Sequence, residues 1–146
     1  MIRKAKTTDY VELKTLSFED LGYECNIELV KSRLDNLDPN NECVFVAEVN
    51  SKVVGYVHII KFNTLYYKSM ANIQGMVVAK EHQRKGYGKE AVKLCVDFLI
   101  NNYSATCISA PVHIQNISAQ KFWKSLGFKP SDSTENDYNF MRLYLS

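Results

Sequence analysis

Gln83-Arg84-Lys85-Gly86-Tyr87-Gly88 is a basic turn with two glycines. An apolar run, Ile73 to Ala79, predicts a strand before it, and the pattern from Lys89 to Asn101 predicts a helix after it. The first N–H groups of a helix have no intrahelical partner, and the helix dipole is positive there, so a basic turn at this point favours an anion. Glycine lets the main chain approach a ligand closely. The turn is therefore predicted to bind a diphosphate.

The composition is that of an ordinary globular protein. The 146 residues suit one domain, residues 1–146, with a single core, and the apolar fraction is 46%. The net charge of +2 comes without a dense basic stripe, which argues against a nucleic-acid surface. No stretch approaches the roughly 20 apolar residues of a membrane helix, and the first residues lack the apolar core of a signal peptide. We therefore expect a cytoplasmic protein with no membrane or nucleic-acid partner.

The cysteines give no sign of metal or redox chemistry. Cys25, Cys43, Cys95 and Cys107 are widely separated, and no C-x-x-C pair occurs. Such spacing is typical of reduced cysteines that pack in a core. We therefore expect no metal site.

Hydrophobic periodicity predicts the element order β-α-α-β-β-β-α-β-α-β. Because strands outnumber helices, an α/β fold with a mixed sheet fits better than a regular βα repeat. Ser17 to Glu24 and Asn63 to Lys68 are predicted as loops, and Asn50-Ser51 as a hairpin turn. The predicted strands are 1–5, 43–49, 53–62, 70–79, 106–112 and 138–145. The predicted helices run from a Thr7 or Thr8 cap to about Leu16, from Asn26 to about Leu37, from Lys89 to about Asn101, and from Asn116 to about Leu126.

Gly86 to Ala91 also fits the dinucleotide fingerprint G-x-G-x-x-A. Lys80 to Lys85 separate the strand from the first glycine, however, and Thr106 to Ala110 lack the acidic residue that would hold a ribose. A P-loop is excluded, because G-x-x-x-x-G-K-[ST] does not occur. A tight turn with a solvated, basic helix start is the structural alternative.

A second motif makes the first one specific. The stretch Gln83 to Gly88 resembles the Q/R-x-x-G-x-G/A signature of the GCN5-related N-acetyltransferase (GNAT) superfamily. Asn116 to Phe128 resembles the second signature of that superfamily, N-x-x-A-x-x-F/L-Y-x-x-x-G-F, with one change. The resemblance covers nearly the whole chain. It implies a GNAT-type α/β fold, with a mixed, mostly antiparallel central sheet that is flanked by helices and has splayed central strands.

The resemblance also implies a function. We expect an acetyl-CoA-dependent N-acetyltransferase that moves an acetyl group to a primary amine of a small molecule or a protein. An acetyl-CoA-binding module with little or no turnover is the alternative. Dimers are frequent in the superfamily, so a homodimer is one expected state.

In that family acetyl-CoA lies between the two central strands. By resemblance, the amides of the glycine turn cradle the pyrophosphate, and main-chain groups of the preceding strand pair with the pantetheine arm. Asn116 would bind the arm from the other side and Phe122 would pack near it, although Asn116 equally suits a plain helix cap and Phe122 a core position. The residues assigned to the cofactor are Met76, Val77, Val78, Gln83, Arg84, Lys85, Gly86, Tyr87, Gly88, Lys89, Asn116 and Phe122.

The catalytic candidates are weak. Asn72 and Gln74 occupy the positions where relatives carry Glu or His, and strand alternation puts both on one face, but neither takes a proton at neutral pH. Trp123 replaces the usual Tyr, and an indole N–H is not a proton source, so Trp123 would wall the acyl site or pack in the core. His113, after a strand end, is the third candidate. We therefore expect catalysis mainly by approximation and by a backbone N–H of Met76 or Val78 that polarises the carbonyl.

Two further sets of residues bear on the acceptor. His58 lies in the middle of a predicted strand, where it would either face the acceptor cleft or be a satisfied structural histidine. Glu19, Asp20 and Glu24 would attract a cationic amine, or they are simply a solvated acidic loop. Acceptor choice is expected to depend on the two predicted loops, 17–24 and 63–68.

Overall fold

The computed structural model describes residues 1–21, 24–65, 69–132 and 134–145, without the side chains of residues 20 and 21. Among these residues seven strands form one sheet in the order β1-β2-β3-β4-β5-β7-β6. The strands are β1 Ile2–Lys4, β2 Glu42–Val49, β3 Lys52–Phe62, β4 Met70–Val78, β5 Cys107–His113, β6 Thr134–Glu135 and β7 Tyr138–Tyr144. The α-helices are α1 Tyr10–Leu21, α2 Ile27–Asp35, α3 Tyr87–Phe98 and α4 Ile117–Ser125, and α3 continues as a π-helical turn, Leu99–Tyr103.

All neighbouring strands of the sheet are antiparallel except β4 and β5, which are parallel. This parallel pair is short: it joins Met70, Ala71 and Asn72 to Cys107, Ile108 and Ser109. Beyond that point β4 stays paired with β3 as far as Val78, and β5 stays paired with β7 as far as His113. The two central strands therefore part, and a V-shaped cleft opens between them. The predicted mixed, mostly antiparallel sheet with splayed central strands is confirmed.

A β-bulge interrupts β4 close to the apex of the cleft. Ile73 pairs with Ile59 and Gly75 pairs with His58, so Gln74 is an extra residue opposite the register shift in β3. A bulge bends its strand and re-aims the side chains that follow it. Here Ile73 packs in one core of the sheet, whereas Val77 packs in the other.

Apolar side chains fill both faces of the sheet. One face packs against α3 and α4, with Ile59 and Val92 in the buried cluster. The other packs against α1, through Leu13 and Leu16. Because both faces are covered, β2 is buried along almost its whole length, as its continuous apolar sequence predicts. None of the described helices has the length and apolar character that crossing a membrane requires.

Two local predictions were wrong. The segment that begins at Ser17 was expected to be a loop, but α1 continues to Leu21, and the Ser17 hydroxyl donates to the carbonyl of Leu13 at 2.8 Å within the helix. No glycine or proline stops the helix before Gly22, which lies outside the described residues with Tyr23. The helix start also differs: the cap comes from Asp9, whose carboxylate accepts from the Lys6 N–H at 2.7 Å, and not from a threonine.

Candidate active site

The glycine turn stands at the open end of the cleft, immediately before α3. Arg84 and Gly86 both have left-handed backbone angles, with φ of +64° and +86°. Gly86 is the N-cap of α3, and no side chain caps the helix. The N–H groups of residues 86–89 have no acceptor among the described residues. An uncapped helix start with left-handed residues beside it makes an anion-binding concavity.

Space and charge at the turn fit a diphosphate. A β-carbon on Gly86 would have no described heavy atom within 4 Å, so the surface above the turn is open. One on Gly88 would lie 3.2 Å from the ring of Phe122 and 3.5 Å from the Met76 methyl, so the absence of a side chain lets α3, α4 and β4 meet. The basic side chains around this surface are all exposed: Arg84, Lys85 and Lys89.

The edge of β4 that faces the cleft offers main-chain hydrogen-bonding groups. The Ala79 N–H donates to Val54 of β3 at 2.7 Å, and the carbonyl of Val77 also faces β3. Backbone groups alternate in an antiparallel strand, so those of Met76 and Val78 face the cleft. The Val78 carbonyl accepts from Nε2 of Gln83 at 2.9 Å, which ties the turn to the strand.

Asn116 lies at the start of α4, across the cleft from the glycine turn. Its Oδ1 accepts from the Ala119 N–H at 3.0 Å, so the predicted N-cap is confirmed. The side-chain amide N–H groups of Asn116 donate to none of the described residues. They remain available to a ligand in the cleft.

A pocket of about 550 Å³ opens at the apex of the cleft, where β4 and β5 stop pairing. Asn72 and Gln74 meet there: Nδ2 of Asn72 donates to Oε1 of Gln74, and the Ser109 hydroxyl donates to Oδ1 of Asn72 at 2.7 Å. Three uncharged polar groups thus form one line across the apex. The pocket is lined by Ile60, Phe62, Thr64, Met70, Asn72, Gln74, Ser109, Glu135, Phe140 and Arg142.

The structure does not bring His113 to these residues. His113 ends β5, four residues beyond Ser109, which is about 13 Å along a strand. Its Nδ1 accepts from the Gln115 N–H at 3.1 Å, and its ring packs edge-on against Tyr138 at 5.1 Å. His113 is absent from the residues that line the pocket.

Trp123 lies in the core. Its side chain is buried, and its ring contacts Phe122 and Phe128 at centroid distances of 5.0 and 4.9 Å. Of the two roles expected for Trp123, the packing role is the one that its surroundings support. Phe122, only partly buried, lies between this core and Gly88.

The pair formed by Glu42 and His58 was missed by sequence reasoning. Oε2 of Glu42 lies 3.0 Å from Nε2 of His58, and Arg33 donates to both oxygens of the same carboxylate at 3.3 Å. The predicted hairpin did not reveal this pair, because an unbroken register would place Glu42 opposite Ile59. The bulge between Ala47 and Glu48 pairs Glu42 with Ile60 instead, which puts its side chain diagonal to His58. The acidic residues Glu19 and Glu24 are exposed and do not line the pocket, and the side chain of Asp20 lies outside the described part of the chain.

The cysteines supply neither a nucleophile nor metal ligands at this site. Burial raises the pKa of the Cys43 thiol to about 12, and it also raises the pKa of the Cys95 and Cys107 thiols, so all three stay protonated near neutral pH. Within the described ranges no three His, Cys, Asp or Glu side chains cluster as a metal would require.

A mixed sheet whose parallel central strands part, with an uncapped glycine turn at the open end, is the architecture of an acetyltransferase. The model of the acetyltransferase (GNAT) family matches residues 8–128. The chain belongs to that family.

Solved structures with this fold include three proteins of different description. The first is yncA of Salmonella typhimurium, solved with its cofactor acetyl-CoA; it has a TM-score of 0.80 and 19% identity over 100% of this chain and 94% of that one. The second is a ribosomal-protein-alanine N-acetyltransferase from Brucella melitensis, with a TM-score of 0.79 and 19% identity over 99% of each chain. The third is an F149A mutant of the spermidine N-acetyltransferase SpeG from Vibrio cholerae, with a TM-score of 0.76 and 20% identity over 99% of this chain and 94% of that one.

Proposed function

We propose that this protein is an N-acetyltransferase that uses acetyl-CoA and acts on a primary amine of a small molecule or a protein. The observation that carries the proposal is the uncapped, basic glycine turn at the open end of the cleft. The N–H groups of residues 86–89 have no acceptor among the described residues and would bind an anion there. Membership of the acetyltransferase family and the acetyl-CoA bound by yncA support the same conclusion.

Each part of that cofactor has candidate partners among the residues of the cleft. The amides of residues 86–89 would hold the pyrophosphate, with Arg84, Lys85 and Lys89 adding positive charge. Main-chain groups of Met76 and Val78 would pair with the pantetheine arm as an added strand does. The side-chain amide of Asn116 would donate to the arm from the other side, and the partly buried ring of Phe122 would pack beside it. When bound, acetyl-CoA supplies an acetyl group activated as a thioester.

The pocket at the apex would hold the acceptor. An amine that enters it would meet the polar side chains of Asn72, Gln74 and Ser109, which would orient the amine or a water. The N–H of Met76 would polarise the carbonyl on which negative charge develops. Holding two reactants in a productive geometry removes up to about 7–11 kcal/mol of a barrier, so these groups account for much of the rate without an acid at position 123.

The pocket does not single out one acceptor. The related structures include enzymes named for spermidine and for ribosomal-protein alanine, so a polyamine and a protein N-terminus both belong among the candidates. Apolar walls with one acidic and one basic side chain, Glu135 and Arg142, suit an amine carried on an apolar body.

The test combines binding with turnover. Acetyl-CoA affinity is measured by calorimetry, and thiol release is followed with a panel of polyamines, arylalkylamines and peptides that begin with alanine. Gly86→Asp is expected to abolish cofactor binding, because it puts a carboxylate against the diphosphate. Ser104→Asp is the matched control: Ser104 is exposed and left-handed, with φ of +51°, but lies at the far end of the α3 segment.

The outcomes separate the alternatives. Binding that Gly86→Asp alone abolishes, with thiol release on at least one amine, supports the proposal. Tight acetyl-CoA binding without turnover on any amine would indicate a binding module instead. An unchanged affinity in Gly86→Asp would overturn the assignment of the turn.

A further inference from the structure

Glu42 and His58 form a partly buried pair on the sheet face that carries the proposed acceptor pocket. The side chain of Glu42 is 9% exposed and that of His58 25%, and 3.0 Å separates Oε2 from Nε2. The carboxylate also accepts from Arg33 at 3.3 Å and from the Asp38 N–H at 3.4 Å. A carboxylate held by such donors accepts from the imidazole, which puts the proton of neutral His58 on Nε2 and leaves the lone pair on Nδ1.

The position of His58 in the sheet relates this pair to the pocket. Ile60, two residues further along β3, lines the pocket and pairs with Asn72. Side chains two residues apart share a face, so His58 lies on the pocket's side of the sheet and next to the bulge at Gln74, although it is not one of the residues that line the pocket. Nδ1 of His58 donates to and accepts from none of the described residues.

The residue of β4 between His58 and the cleft is a glycine. His58 pairs with Gly75, the residue that follows the bulge. A β-carbon on Gly75 would lie 3.7 Å from the Tyr56 hydroxyl and 3.8 Å from its ring, so Tyr56 covers this glycine at ordinary contact distance. A water molecule that bridges Nδ1 and an amine at the cleft edge of β4 would therefore lie beside the Tyr56 hydroxyl.

We propose that His58, oriented by Glu42, accepts the proton that the acceptor ammonium must lose before it can attack. The inference rests on the proposed function and adds to it the proton acceptor that Asn72, Gln74 and Trp123 cannot provide. Glu42 is a positioning residue, because its contact with Nε2 orients the ring and fixes the tautomer that leaves Nδ1 unprotonated.

The protons and electrons of the step balance. One proton passes from the ammonium to Nδ1, directly or through the bridging water, and the freed lone pair forms the C–N bond. The C–S electron pair leaves with sulfur, which takes up the second proton that nitrogen loses as the amide forms. His58 then releases its proton to solvent, so one ammonium and one thioester give one amide, one thiol and one proton.

Among the described residues, His58 has one charged hydrogen-bond partner. Glu42 is its direct partner, and Arg33 lies behind Glu42 with its side chain 54% exposed. On β4 the neighbouring side chains, Asn72 and Gln74, are uncharged. The charged groups of the pocket itself are Glu135 and Arg142.

Two probe amines test the proposal. 2-Phenylethylamine is an ammonium ion at neutral pH, whereas 4-ethylaniline is already unprotonated and needs no base before attack. His58→Gln is expected to lower kcat/KM about 100-fold for the alkylamine and to leave the arylamine within about threefold. Glu42→Gln is expected to lower the alkylamine value about tenfold. Asp35→Asn, the same carboxylate-to-amide change at an exposed position of α2, is the control and should leave both values within about threefold.

A second measurement is independent of turnover. Nitrogen-15 NMR of the imidazole should show neutral His58 protonated at Nε2, with Nδ1 unprotonated, and the opposite tautomer would overturn the proposal. Equal losses on both amines, or no loss on the alkylamine, would overturn it as well. Failure of the wild-type protein to bind acetyl-CoA would instead contradict the proposed function, so the two failures are distinguishable.

Discussion

The ring of Phe122 lies 3.2 Å from the position that a β-carbon on Gly88 would take. Met76 of β4 approaches the same position, with its methyl at 3.5 Å. The first turn of α3, the middle of α4 and the open edge of β4 therefore converge on one glycine. The width of the proposed cofactor cleft depends on this contact, because both helices are held there against the parted strand.

Gly88→Ala should weaken acetyl-CoA binding about tenfold while changing stability little. The new methyl pushes on an aromatic ring that cannot bend away, which costs about 1 kcal/mol or more. The better helix propensity of alanine offsets about 1 kcal/mol of that loss. Calorimetry and thermal melting measure the two effects. An acetyl-CoA affinity that is unchanged in Gly88→Ala would contradict this interpretation.

Trp123→Phe should lower the stability of the fold and leave the acetyl-transfer activity nearly unchanged. The indole is packed between Phe122 and Phe128, so a smaller ring leaves a cavity worth about 1–3 kcal/mol. Activity measured well below the melting temperature should stay within a few-fold of wild type. A rate loss above about 100-fold at unchanged acetyl-CoA affinity would show instead that Trp123 acts in the reaction.

Local signals predicted the element ends that depend on backbone chemistry. Asn26 caps α2, with its Oδ1 accepting from the Glu28 N–H at 2.7 Å, and Gly127 follows α4 with φ of +92°. The length of α1 was not predictable in the same way. Beyond Leu16 the apolar spacing of the first turns is broken by Ser17 and Asp20, so periodicity does not mark the extension, although Gly22 follows its last residue.

The candidate site likewise contains residues that local sequence predicts and residues that depend on how distant strands pair. Local sequence identified Gln83 to Gly88 and Asn116. These residues act through main-chain groups and helix caps, and both require particular residue types at fixed spacing. The Glu42–His58 pair joins two strands through a register that a bulge between Ala47 and Glu48 shifts. The bulge at Gln74 likewise depends on how β3 and β4 pair. No local pattern encodes either register, so these features required the structure.

Ser109→Ala should raise KM for the amine without affecting acetyl-CoA. The Ser109 hydroxyl donates to Oδ1 of Asn72 at 2.7 Å, and its loss frees Asn72 to turn away from Gln74. A rise of about five- to tenfold in the amine KM, with a stability loss of about 1 kcal/mol, is expected from two-substrate kinetics and denaturation. Ser69→Ala is the matched control, because that buried hydroxyl bonds the Tyr103 carbonyl at 3.2 Å. Equal KM effects in both variants would contradict the role of Ser109.

Asp9→Asn should destabilise the protein at neutral pH by about 2 kcal/mol, less than a fully buried pair would cost. Arg3 donates to both oxygens of Asp9 at 2.9 Å, and this pairing holds the pKa of the carboxyl below its usual range. A carboxyl with a lowered folded-state pKa stabilises the fold above its unfolded-state pKa, and the contribution is lost as the pH falls through the folded value.

The difference between wild type and Asp9→Asn should therefore be full at pH 7 and shrink below about pH 4. Urea denaturation at pH 7, 5 and 3 measures it. A difference that stays constant over this range would show that the charge of Asp9 contributes nothing. Asp35→Asn, at an exposed position of α2, is the matched control, for which we expect little change at any of the three pH values.

Only Cys25 should react quickly with a thiol reagent in the native protein. Cys25 is partly exposed, whereas Cys43, Cys95 and Cys107 are buried, and burial raises the pKa of each of these three thiols, that of Cys43 to about 12. The reaction requires the thiolate, so the three buried cysteines should react only after the fold opens. Colorimetric titration should count one thiol in the native state and four in guanidinium chloride, the number in the sequence. Cys25→Ser should leave no fast phase, and a second fast thiol in the wild type would contradict the burial of the other three.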